Sequence, residues 1–183
     1  MRFFRTYQSE IYGPYRTALL RDGLFTGLIM AGVVLFCKLI YYPINTPENL
    51  VTDITLLVAT LFFTCRYRSS LPEKKVFFKE LMMYGLGLGI VAAIVYGLYL
   101  LLYGSVIDSE FPSRCLSHFV DGEMSGNASE EDKINTVAVM KGYKLHTWAF
   151  IGAFRTAVMS IMVAFISSLI FRTEKDIVKQ KNK

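Results

Sequence analysis

The sequence predicts an all-α fold, a polytopic bundle of four transmembrane helices with a short amphipathic helix on its outer side. Three observations predict it. Hydrophobic residues fill 53% of the 183 positions, charged residues fill only 19%, and the apolar residues gather into four long runs. Soluble domains carry roughly 25% charged residues. One core in a chain of this length cannot hide so much apolar surface, so the surplus faces lipid. A bilayer is crossed by about 20 mostly apolar helical residues, whereas barrel strands would alternate apolar and polar residues with period two. The runs are long and do not alternate, and the whole chain, 1–183, reads as one membrane domain.

The first run covers 24–42 and stops at Pro43. Arg2, Arg5, Arg16 and Arg21 precede it, without a short apolar stretch and small-residue cleavage site, so it is expected to stay as a membrane helix. The second, 48–66, is the shortest. It recruits residues next to Pro47 for its outer turn and ends at Arg66, Tyr67 and Arg68. The third covers 80–104. The fourth covers 145–171 and is closed by Arg172 and a basic tail, 172–183.

Between the third and fourth runs lies a polar outer segment, 105–144. Within it Ser129 can cap a helix whose first turn carries Glu130, Glu131 and Asp132, acids suited to the positive end of a helix dipole. Ile134, Val137 and Ala138 would share one face of that helix, and Gly142 would break it before the last span. Asn127-Ala128-Ser129 matches a glycosylation acceptor, a tripeptide common by chance.

Lysine and arginine set the orientation. The N-terminal arm, the loop bearing Arg66, Arg68, Lys74, Lys75 and Lys79, and the tail hold 14 of the 20 basic residues on one side. The other side holds the short turn 43–49 and the acidic outer segment. The basic side, with both termini, is expected in the cytoplasm. The net charge of +5 then reads as a topology signal and an attraction to anionic lipid heads, with the bilayer rather than nucleic acid as partner. Tyr41, Tyr42, Tyr99 and Tyr103 fall near outer ends and Tyr67 and Tyr84 near inner ends, levels that suit amphipathic rings as well as packing. Cys37, Cys65 and Cys115 have neither disulfide nor metal spacing.

In lipid, helices gain little from burying apolar surface on one another, and small residues let backbones approach. The third run has Gly85, Gly89, Ala93 and Gly97 at four-residue intervals. The fourth has Gly152, Thr156, Ser160, Ala164 and Ser168, and the first has Gly23, Gly27 and Ala31. Each set lies on one helix face. Spacing leaves open whether these stripes meet within one chain or between two copies.

Charges inside apolar spans are the strongest functional leads in a membrane protein. Lys38, Asp53 and Arg155 all fall in the outer half of the bilayer, with Arg155 deepest. One reading is an internal Asp53–Arg155 ion pair with Lys38 stretched to the interface. Another is a polar pocket, open to the outside, for an anionic group such as a lipid phosphate. A proton or ion path would need polar residues in both leaflets, and the inner halves offer little beyond threonine and serine. His118 and His146 are the only histidines, and no catalytic, phosphate-loop or metal spacing occurs, so no enzyme activity, cofactor or metal is expected. Asp108 and Glu110 read as acids that solvate a helix end.

The run Phe78, Glu80, Gly85, Gly89, Ile90, Ala92, Ala93, Ile94, Tyr96 and Tyr99 leads to Ile107-Asp108-Ser109-Glu110-Phe111. This resembles domain-of-unknown-function family 4199, small four-span bacterial membrane proteins with an F-x-E start to the third helix and an I-D-P-D-F-like exit. Ser109 and Glu110 stand where that family tends to have proline and aspartate. The resemblance implies the topology and a bacterial inner membrane, and supplies no activity. The expected role is an accessory or scaffold subunit, for a homo-oligomer or a membrane-enzyme partner. The alternative is a small carrier or lipid- or anion-binding protein using the Lys38, Asp53 and Arg155 layer.

Overall fold

The structure, a computed structural model, describes residues 2–40, 50–71, 77–123 and 130–172. The described residues form α1 (Arg2–Leu39), α2 (Leu50–Ser70), α3 (Phe78–Leu102), α4 (Phe111–Glu123), α5 (Glu130–Met140) and α6 (Leu145–Phe171). A π-turn, Tyr103–Ile107, prolongs α3. Four stretches are long and apolar enough to cross a membrane: Tyr15–Leu39, Leu50–Ser70, Phe78–Ile107 and Leu145–Phe171. The chain is therefore a multi-pass, all-helical membrane protein. Residues 41–49, Tyr41 and Tyr42 among them, Lys74, Lys75, Asn127 to Ser129 and the tail beyond Arg172 lie outside the described residues, as do the side chains of Arg2, Arg5, Glu130 and Asp132.

The helices pack through the small residues. α3 lies most extensively against α6 and next against α1, while α2 closes the ring against α6 and α1. Gly85 faces Ala164, Gly89 faces Ser160 and Gly97 faces Ala153, pairs that run in opposite directions as antiparallel neighbours must. Ala93, Gly152 and Thr156 are buried on the same faces. Gly23 and Gly27 of α1 lie over Val91 and Val95 of α3 in parallel register. A Cβ on Gly27 would sit 2.6 Å from that of Val95, so only glycine permits this approach. The stripes of α3 and α6 thus meet inside one chain, and that of α1 is covered by Val91 and Val95 of α3.

The hydroxyls on these faces are satisfied locally. Thr156 donates to the Gly152 carbonyl, Ser160 to Thr156 and Ser168 to Ala164, each one helical turn back. Less than half of each of the four apolar spans is buried inside the bundle. The remaining faces, with Phe25, Phe36, Phe62, Ile94, Phe150 and Phe154 exposed, look to lipid.

Two expectations change. Arg21 and Asp22 do not interrupt α1, and Asp22 is turned into the bundle. The outer segment holds two helices. α4 was hidden by its polar residues, but Phe111 and Cys115, one turn apart, are fully buried, and Phe119 is half-buried a turn further on. On α5, Ile134 and Ala138 are exposed, and Val137, Thr136 and Met140 are the half-buried positions. Helix α5 ends where Gly142 predicts, with the Gly142 N–H donating to the Val139 carbonyl.

Candidate functional site

Charged and phenolic side chains meet at three depths, the inner end of the bundle being the one at which α3 starts and the outer end the one that carries the π-turn. At the inner end Asp22 of α1 is 1% exposed. It accepts a hydrogen bond from the Tyr84 hydroxyl of α3 at 2.6 Å and another from Arg21 Nε at 2.8 Å. A buried carboxylate is costly unless such donors reach it. Tyr67 of α2 stacks on Tyr84 with ring centroids 4.2 Å apart, and Tyr15 stands edge-on to both. Tyr84 is thus a bundle residue with no share in an interfacial belt. Tyr84→Phe removes a hydrogen bond to a charged group, so unfolding in detergent should cost about 2 kcal/mol less. A variant within about 0.5 kcal/mol of wild type would mean that Arg21 alone supports Asp22.

In the outer half Arg155 of α6 grips Asp53 of α2 with both prongs of its guanidinium, Nη1 to Oδ1 at 3.0 Å and Nη2 to Oδ2 at 2.7 Å. Such a fork matches carboxylate geometry and fixes orientation as well as charge. Tyr96 and Thr52 lie beside the pair.

Lys38 does not join that pair. Its Nζ donates to Oδ2 of Asp108 at 3.0 Å, beyond the end of the π-turn. Arg114 Nη2 of α4 and the Tyr103 hydroxyl, at 3.1 Å, donate to the same oxygen. In a regular helix, residues five apart differ by about 140° in direction. The π-turn, closed by the Asp108 N–H on the Tyr103 carbonyl at 2.9 Å, brings Asp108 round to Tyr103. Burial alone would raise the Asp108 pKa, but hydrogen bonds from Arg114, Lys38 and Tyr103 hold it down to about 2. Asp108 therefore stays charged at any ordinary pH, and Asp108 beside Arg114 raises the guanidinium's own pKa. Burial pushes the neighbouring Cys115 thiol up to about 12, a poor nucleophile.

Of the residues expected to form one polar layer, Asp53 and Arg155 come together and Lys38 belongs to a separate outer cluster. The reason is reach: Lys38 sits in the last turn of α1, level with the buried Asp108, which offers a carboxylate where the interface would offer only water. The inner half is also less bare than threonine and serine suggested, since it holds Asp22. Its signal was register: Asp22, Thr26, Met30 and Val34 repeat every four residues on the buried face of α1.

The two motifs of the third helix have structural roles. Glu80, last letter of F-x-E, accepts the Phe77 N–H at 3.4 Å and so secures the start of α3. Asp108, second letter of the exit motif, is the hub of the outer cluster. The family model for Protein of unknown function (DUF4199) matches residues 21–173. The chain belongs to this family. The matched stretch of this DUF4199 chain takes in all three clusters apart from Tyr15, from Arg21 to the end of α6. No curated protein and no solved structure matches the chain.

Proposed function

We propose that this DUF4199 chain is a non-catalytic accessory subunit of a bacterial inner membrane, with both termini in the cytoplasm, that holds a membrane partner. The observation that carries the reading is how the helices are tied. α1 and α3 are joined at the inner end by Asp22 and Tyr84 and at the outer end by Lys38 and Asp108. α2 and α6 are joined between these levels by Asp53 and Arg155. A carrier needs one helix set to rock against another; the ties lock α1 to α3 and α2 to α6, and the close α3–α6 contact at Gly85, Gly89 and Gly97 opposes movement of one pair on the other. A tied bundle suits a fixed platform. The excess of lysine and arginine on one side supports the orientation.

A partner fits better than a second copy of the chain. The small-residue faces that favour close helix pairing are already occupied within the bundle. The experiment is gentle extraction of the native protein from its own membranes, with the mass of the complex measured by size exclusion and light scattering. A defined particle containing one copy of this chain and a second membrane protein is expected. A monomer in detergent, after cross-linking in intact membranes as well, would overturn the reading.

A further inference from the structure

The outer cluster carries more positive charge than its carboxylate balances. Lys38 and Arg114 both donate to Oδ2 of Asp108, and the Asp108 side chain is only 4% exposed. The side chains of the two cations are 42% and 32% exposed. Two donors bonded to one oxygen lie within about 6 Å of each other, a spacing that one phosphate group can bridge with two of its oxygens. Lysine has three donors and arginine five, so each has hydrogen bonds left to give after Asp108. The buried carboxylate fixes both heads in place without neutralising both, so little ordering remains to be done when an anion arrives.

Glu110 is the competitor. It is 83% exposed, and its Oε2 lies 3.9 Å from Arg114 Nη1, a distance at which an exposed pair contributes little. Beside the cations the ends of α1 and of the π-turn expose Leu39, Ile40, Val106 and Ile107. A charged pair at the outer edge of the span with apolar side chains next to it matches a phosphate whose attached group is a lipid.

The geometry points to a phosphate-binding site on the outer side of the bundle, formed by Lys38 and Arg114, positioned by Asp108 and Tyr103, and opposed by Glu110. Its ligand is a phosphate ester, supplied by a phospholipid head or by a soluble phosphate. This site does not depend on the accessory role.

The test uses the full chain in detergent, with native mass spectrometry after addition of phosphatidylglycerol or of diacylglycerol, which lacks the phosphate. Wild type should retain phosphatidylglycerol in clear preference to diacylglycerol. Lys38→Gln should reduce that retention about tenfold, and Glu110→Gln, an exposed change that leaves the buried contacts alone, should raise it several-fold. If millimolar inorganic phosphate displaces the lipid, soluble phosphate is also a ligand; if it does not, the site takes the lipid form, and both results keep the phosphate chemistry. Equal retention of the two lipids, or Glu110→Gln binding no more phosphatidylglycerol than wild type, overturns the site even if Lys38→Gln fails to fold.

Discussion

Arg155→Ala is expected to lower the stability of the bundle by about 2 kcal/mol, because removing one partner of a half-buried ion pair inside the apolar layer leaves the other charge uncompensated. Asp53 and Arg155 join two helices that cross the apolar layer, and the fork of two hydrogen bonds at 3.0 and 2.7 Å leaves little slack. Asp53→Ala is expected to cost less, since a long arginine can carry its head outward to the interface while a short aspartate cannot. Asp53→Ala with Arg155→Ala together should recover at least half of the Arg155→Ala loss, as replacing both members of an ion pair in an apolar setting by apolar groups is often nearly neutral. The measurement is a double-mutant cycle on unfolding free energy in mixed micelles. If the single variants each fall within about 0.5 kcal/mol of wild type, the pair does not hold α2 to α6.

The four spans were legible because they rest on length and hydropathy alone: four apolar runs, each long enough to cross a membrane as a helix. Opposite charges at matched depth already pointed from Asp53 to Arg155. What stayed hidden depended on partners distant in the chain. Asp22 looked like the polar edge of a span, because hydropathy stops at the first charge and cannot register Tyr84, 62 residues on, as a donor. Lys38 could be given a depth but no partner, since Asp108 reaches it only through a π-turn, which residue spacing does not reveal. Helix α4 was obscured because Ser113, Arg114, Ser117 and His118 break the apolar run, and Phe111 and Cys115 betray it only by their one-turn interval. The small-residue stripes told which face of each helix packs, while the choice between a neighbour in the same chain and a second copy needed coordinates.

Gly89→Ala probes that close packing most directly. A Cβ at Gly89 would overlap both Cβ and Oγ of Ser160, so the antiparallel α3 and α6 must part or Ser160 must shift. Overpacking of this kind costs about 1–3 kcal/mol, against a gain of up to about 1 kcal/mol from alanine's better helix propensity; a net loss of about 1–2 kcal/mol is expected. Ser160→Gly removes both clashing atoms and leaves Ser160 Cα at 3.4 Å, so it should suppress most of the Gly89→Ala defect when the two are combined. Gly23→Ala supplies the contrast. Its Cβ would meet the backbone carbonyl of Leu88 at 2.9 Å as well as the Val91 side chain, and no side-chain change can move a carbonyl. A Val91→Ala partner should therefore rescue Gly23→Ala poorly. Gly32, with nothing within 4 Å of an added Cβ, should accept alanine with no loss. Should Gly89→Ala unfold at the same point as wild type, or Ser160→Gly fail to relieve it, then α3 and α6 do not approach through these two residues, and the stripes would again be free to pair between copies.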